Sequence, residues 1–221
     1  MGDSGLPDRG VEVQIAYTVG KTKVAISAGS VVGFRGDAIV NAANRGGVGG
    51  GGVDGAINSA GGDELVSARR ALPVLNDYGD RIPTGEARVT PGGRLPAKWV
   101  VHAVGPDYYE TEGDDFQPCD DKLYSAYAES LKCAAEKEVK SLGICLLSAG
   151  IFRGERALAD VLEIACKAVK ENVYPSLEEV HLVAFTDREI SELLAAAKRV
   201  FADGSRSTTP VSPASAAESA S

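Results

Sequence analysis

The chain is 221 residues long, 44% hydrophobic and 24% charged, which suits one α/β domain with polar tails to spare. Its 31 acidic residues outnumber 23 basic ones, leaving a formal net charge of −8. Binding a nucleic-acid backbone needs clustered Lys and Arg, so direct nucleic-acid binding is not expected. A small phosphate-bearing ligand stays open, because backbone N–H groups alone can hold one.

In chain order, residues 1–10 read as a loose segment with neither a basic start nor an apolar core for secretion. Strands are predicted at Val11–Tyr17, Lys23–Ala28 and Asp37–Ala42, and a helix starts at Val53 or Asp54. Asp63–Asn76 reads as helix broken by Pro73, followed by strands at Ala87–Thr90 and Lys98–Val104. The acidic stretch Asp107–Asp121 reads as a solvated insertion, since Asp114, Asp115, Asp120 and Asp121 lack the order of a calcium loop. Asp120–Lys137 is a helix with Leu123, Tyr127, Leu131 and Ala134 on one face. Then come a strand at Leu142–Ser148, a helix at Glu155–Asn172, a strand at Glu179–Phe185 and a helix at Asp187–Phe201 capped by Asp187. Residues 203–221, nearly all Ser, Ala, Thr and Pro, read as disordered tail, which leaves 11–202 as the folded domain.

Strands alternating with helices of this length imply a sheet covered on both faces, with ligands beyond the carboxyl ends of its strands. No apolar run reaches membrane-spanning length, so no membrane partner is expected. Cys119, Cys133, Cys145 and Cys166 form no Cys-x-x-Cys pair. Reduced thiols are therefore expected, in cytoplasm or nucleus, with no metal site. His102 and His181 both sit in apolar strand runs and read as core residues, which leaves a Ser-His-Asp triad without good candidates.

The most informative stretch runs from Asp37 through Asn41, Asn44 and a loop in which six of the seven residues Gly46–Gly52 are glycine, to Asp54 and Asn58. Glycines let the backbone approach a ligand and turn N–H groups toward anionic oxygens, and a helix N-terminus adds partial positive charge. A flexible linker is the plain alternative, but linkers are seldom wedged between a strand and an amphipathic helix. Gly47-Val-Gly49-Gly-Gly-Gly52 formally fits the dinucleotide fingerprint, as almost any glycine run does, yet a helix stands where the next strand belongs. A P-loop is excluded, for no Gly-Lys-Ser/Thr follows.

Val40-Asn41-Ala42-Ala43-Asn44, followed by the glycines and Val53-Asp54-Gly55-Ala56-Ile57, resembles the signature of macrodomains, in particular the MacroD-type ADP-ribosylhydrolases. The likeness continues through Pro83–Ala87, Leu95–Lys98, Val101–Pro106, Leu147–Phe152 and Phe185–Asp187, and so spans about residues 24–201. It implies a three-layer α/β/α domain with a mixed central sheet, acting as a monomer without cofactor. Expected partners are ADP-ribose, ADP-ribosylated protein or O-acetyl-ADP-ribose. The implied reaction is release of mono-ADP-ribose from acidic side chains, or deacetylation of O-acetyl-ADP-ribose. Alternatives are a non-catalytic ADP-ribose reader, an ADP-ribose 1″-phosphate phosphatase, and, more distantly, a Rossmann oxidoreductase.

By the resemblance, Asn44 holds the hydroxyls of the distal ribose, and Asp54 orients or activates the attacking water. The plain readings are that Asn44 closes a turn and Asp54 caps the helix beside it. Asn41 bonds the same ribose or is structural. Gly50, Gly51, Gly52 and Val53 form one phosphate-facing turn, and Ser148, Ala149, Gly150, Ile151 and Phe152 form the other. Phe152 covers the distal ribose or is simply buried, while Phe185 packs on adenine. Three departures stand out. Ser30, followed by Val31, replaces the Asp that in the family reads the adenine amino group; Asn58 replaces a His; and Arg153 replaces a small residue, facing either diphosphate or solvent.

Overall fold

A computed structural model describes residues 6–111, 113 and 115–202. The predicted tail at 203–221 and the first five residues lie outside the described residues. Among the described residues there are seven strands: β1 (Glu12–Val19), β2 (Thr22–Ala28), β3 (Ala38–Ala42), β4 (Ala87–Pro91), β5 (Trp99–Ala103), β6 (Ser141–Cys145) and β7 (Glu179–Ala184). They form one sheet in the order β1-β2-β7-β6-β3-β5-β4. Neighbours from β2 to β5 run parallel, while β1 and β4 pair antiparallel at the two edges. The mixed sheet matches the expectation, and its centre explains the composition. Every residue of β6 and β7 is buried, as parallel strands covered on both faces require.

Four helices cover it: α1 (Gly52–Arg70), α2 (Gln117–Glu136), α3 (Leu158–Asn172) and α4 (Asp187–Phe201). α2, α3 and α4 pack side by side, with α2 against β4 and β5 and α4 against β2 and β7; α1 lies on β3 and β4. Among the described residues no helix is long and apolar enough to cross a membrane. Tyr17 of β1 stacks on Phe201 of α4 with centroids 5.0 Å apart, closing one end of the core. At the other end of the chain's fold, Arg9 pairs with Glu179 at the start of β7 and donates to the Arg35 carbonyl.

The boundaries differ from the sequence reading in instructive ways. α1 spans both predicted helical segments, with a break at Gly62 (φ 68°, ψ −163°), and it ends at Arg70, well before Pro73. α4 is capped by Thr186, not Asp187: Thr186 accepts from the Glu189 N–H while the Glu189 carboxylate accepts from Thr186 N–H, a reciprocal capping box. β6 stops at Cys145, short of the predicted Ser148, whose φ of 52° lies outside the extended region of a strand. α3 starts only at Leu158, for Ile151–Arg153 form a 3-10 turn ended by Gly154. Asp120 is not a solvated loop residue. It sits in α2, accepts from Tyr108 Oη (2.8 Å) and pairs with Arg156 (2.8 Å), tying the acidic segment to the chain before α3.

One core contact sets the height of the loop after β6. Tyr127 of α2 is fully buried, and its Oη accepts the Leu147 N–H at 2.8 Å. Tyr127→Phe keeps the ring but leaves that amide unpaired. Urea unfolding is expected to show a loss of about 1–3 kcal/mol, and an unchanged midpoint would remove the bond from this account.

Candidate functional site

The parallel strands send their carboxyl ends to one edge of the sheet, and their connections part there. From β3 the chain crosses through α1 toward β4 and β5; from β6 it crosses through α3 to β7. The crevice at such a switch point is the usual ligand position in open α/β sheets. Here it is a cavity of about 640 Å³, a volume typical of small-molecule sites. Its walls come from the ends of β2 (Gly29, Ser30, Val31), β3 (Ala42, Ala43, Asn44), β5 (Gly105), β6 (Cys145, Leu146, Ser148) and β7 (Val183, Phe185). The glycine loop, the start of α1 and the Gly150–Phe152 turn complete it, with Glu189 beside Phe185.

Asp54 stands in the first turn of α1, 3% exposed. Its Oδ1 accepts from Asn41 Nδ2 (2.6 Å) and from Arg69 Nη1 (2.6 Å). Its Oδ2 is buried with no partner in the protein. Gly50 shows where that oxygen faces. A methyl group added there would lie 3.0 Å from Asp54 Oδ2 and 3.2 Å from Asn44 Nδ2, so a side chain at this position would crowd both groups. Asn44 spans the loop, accepting from Gly47 N–H (3.1 Å) and donating to the Gly49 carbonyl (2.8 Å). One amide hydrogen and one lone pair of Asn44 remain for a ligand.

Beneath Asp54 a polar chain runs into the sheet. Asn41 Nδ2 also lies 3.0 Å from His102 Nδ1, and His102 Nε2 lies 2.9 Å from Thr90 Oγ1, whose own hydroxyl donates to the Pro91 carbonyl. The directions are consistent only if His102 Nδ1 accepts and Nε2–H donates, a neutral imidazole. Burial and the Arg69 charge agree, holding the His102 pKa well below its usual 6.5. Cys145, at the floor of the cavity, is likewise kept neutral: burial pushes its thiol up to about 12, which removes it as a nucleophile near neutral pH.

The second turn, after β6, is held from two sides. Ser148 donates to the Pro106 carbonyl at 2.7 Å, a contact that Gly105 permits because any Cβ there would meet Ser148 Oγ at 2.3 Å. At the far end Phe185 is 75% exposed against the cavity, and the Glu189 carboxylate accepts from the N–H groups of Phe185 (3.0 Å) and Thr186 (2.9 Å).

A family model described as Macro domain matches residues 40–165. The chain belongs to the macrodomain family. It is 44% identical over 161 residues to a macro domain-containing protein of Cupriavidus necator, covering 72% of this chain and 88% of the relative. It is 39% identical over 169 residues to the O-acetyl-ADP-ribose deacetylase of Escherichia coli K12, covering 76% and 90%. An Oceanobacillus iheyensis macrodomain solved with ADP superimposes with a TM-score of 0.74 at 28% identity, covering 84% of this chain and 95% of that one.

Within this macrodomain the cavity brings together Asn44, Gly50, Gly51, Gly52, Val53, Asp54, Ser148, Gly150, Ile151, Phe152, Phe185, Ser30 and Val31. Three other predicted residues lie outside its lining. Asn41 is fully buried beneath Asp54 and reaches no ligand space. Ala149 turns its methyl group into the core. Arg153 neither lines the cavity nor reaches free into solvent; its guanidinium folds back onto the Arg156 carbonyl. Asp54 does not cap α1, whose N-cap is Gly51. Sequence reasoning missed Arg69 and Glu189. Fifteen positions along a straight helix span about 22 Å, so nothing in the pattern joins Arg69 to Asp54 until the break at Gly62 turns the second half of α1 back.

His102 gives a pH signature. Its folded pKa lies below the unfolded value, so the unfolded chain alone takes up this proton, and stability is lost as pH falls below about 6.5. The slope approaches ~1.4 kcal/mol per pH unit. His102→Gln keeps an acceptor and a donor without titrating. Between pH 7.5 and 5.5 the natural chain is expected to lose roughly 1 kcal/mol more than the variant in urea unfolding; parallel losses would contradict the neutral imidazole.

Proposed function

We propose that this macrodomain binds ADP-ribose in the cavity and hydrolyses a bond at the reactive end of its distal ribose. The substrates would be mono-ADP-ribose esters on acidic side chains, or O-acetyl-ADP-ribose. The observation that carries this is that Asp54 lines the cavity with Asn44, and that its buried Oδ2 has no partner in the protein. A buried carboxylate oxygen without a partner is costly, and a ligand hydroxyl or a water would satisfy it.

The remaining parts follow the ligand's chemistry. The diphosphate would lie between the glycine loop and the Ser148–Phe152 turn, met by backbone N–H groups and the N-terminus of α1. Phe185 offers its face to the base. In the ester case a water held by Asp54 Oδ2 bonds to the anomeric carbon as the bond from that carbon to the acyl oxygen breaks. The acceptor leaves as carboxylate, and the water's proton passes to Asp54 and then to solvent. Asn44 fixes the ribose so that little geometry is left to chance. The E. coli relative's name supports the deacetylase form of the reaction, and the Oceanobacillus macrodomain holding ADP supports the ligand class.

A second reading, a reader that binds without turnover, is favoured by Asn58, which accepts from Arg69 where the family's enzymes carry His. Incubation with an aspartate/glutamate-linked mono-ADP-ribosylated protein separates the two. Release of label is expected, and Asp54→Ala should lower it at least ~100-fold while calorimetry still detects ADP-ribose binding. Measurable binding with no release by the natural chain leaves only the reader.

A further inference from the structure

Arg69 is the largest of the fully buried side chains, and it is a cation. Taking a guanidinium out of water costs several kcal/mol, and replacing such a pair by apolar residues of like volume is often neutral or stabilising. A purely structural role is thus a poor reason for it. Its contacts point to another. Nη1 bridges Asp54 Oδ1 (2.6 Å) and Asn58 Oδ1 (2.7 Å), and Nε donates to the Gly47 carbonyl (2.7 Å). Asn58 in turn donates to the Val48 carbonyl at 3.2 Å.

One planar group therefore ties the first two turns of α1 to the glycine loop. With Asn41 it also takes both contacts on Asp54 Oδ1, leaving Oδ2 as the carboxylate oxygen without a protein partner. The arm reaches only because α1 breaks at Gly62, whose φ of 68° favours glycine.

We infer that Arg69 is a positioning residue for the reaction at Asp54: it fixes which carboxylate oxygen meets the sugar and holds the glycine loop at the matching distance. This rests on the reading that Asp54 works at the distal ribose. Arginine is needed because its fork makes three directed bonds from one plane, whereas a lysine ammonium at the same place cannot reach all three acceptors.

The test compares the natural chain with Arg69→Met and Arg69→Lys, measuring ADP-ribose affinity by calorimetry and release of label from an acid-linked mono-ADP-ribosylated protein. Arg69→Met is expected to lower kcat at least ~30-fold with ADP-ribose affinity within about threefold. Arg69→Lys should fall between, and added guanidinium ion should restore part of the Arg69→Met rate and none in Asp54→Ala. A kcat within threefold of the natural chain, or losses of rate and affinity in step without rescue, would overturn the inference. If Arg69→Met does not fold, Arg69→Lys carries the same comparison. If the natural chain binds ADP-ribose but releases nothing, the hydrolase reading has failed, and the positioning role that rests on it is overturned with it.

Discussion

The ion pair between Asp54 and Arg69 is the interaction on which the site turns. Both side chains are withdrawn from water, at 4% and 0% exposure, so neither charge is tolerable without the other. The pair joins a residue at the start of α1 to one in its last turn, and the Gly62 break exists in the fold to let them meet. Remove the break and Asp54 loses its brace; remove the brace and the glycine loop loses its hold at Gly47. Helix geometry, loop geometry and carboxylate orientation are one constraint seen from three sides.

The sheet supplies the frame for that constraint. Five parallel strands place their carboxyl ends on one edge, and the opposite crossovers from β3 and β6 open a crevice between them. The depth of the site is set below it by Tyr127, which holds the Leu147 amide, and by the chain from Asn41 through His102 to Thr90. That chain leaves Asn41 Oδ1 buried without a partner and carries no charge on the imidazole, so it acts as a polar support under Asp54 and not as a proton store.

Much of this was legible in the sequence, for physical reasons that can be named. Local signals survived: all seven strands lie close to their predicted spans, and α4 coincides with its predicted range. The glycine run, with Asn44 before it and Asp54 after it, marks a loop whose backbone approaches a ligand whatever the ligand is. What was hidden depends on contacts between distant residues. Nothing in the sequence links Arg69 to Asp54, fifteen positions away, until the helix folds back at Gly62. Asp120 reads as solvated until Arg156 and Tyr108 reach it from elsewhere in the fold. Asn41 looks like Asn44 by type and neighbourhood, yet it lies within β3 and is buried, while Asn44 lies beyond the strand's end and lines the cavity. Thr186 and Asp187 are both good caps by chemistry, and the reciprocal bond with Glu189 chooses between them.

The acid surplus of the chain then takes on a definite meaning. Among the described residues no Lys or Arg lines the cavity, and its two charged wall residues, Asp54 and Glu189, are both acidic. A diphosphate placed there would be neutralised by oriented N–H groups and the end of a helix, not by mobile side chains. Such donors are fixed before the ligand arrives and cost no side-chain ordering, so the affinity they give is insensitive to surface composition. On the proposed reading, where a diphosphate rested on these donors would decide which sugar carbon stood over Asp54, and the chemistry would follow from that placement.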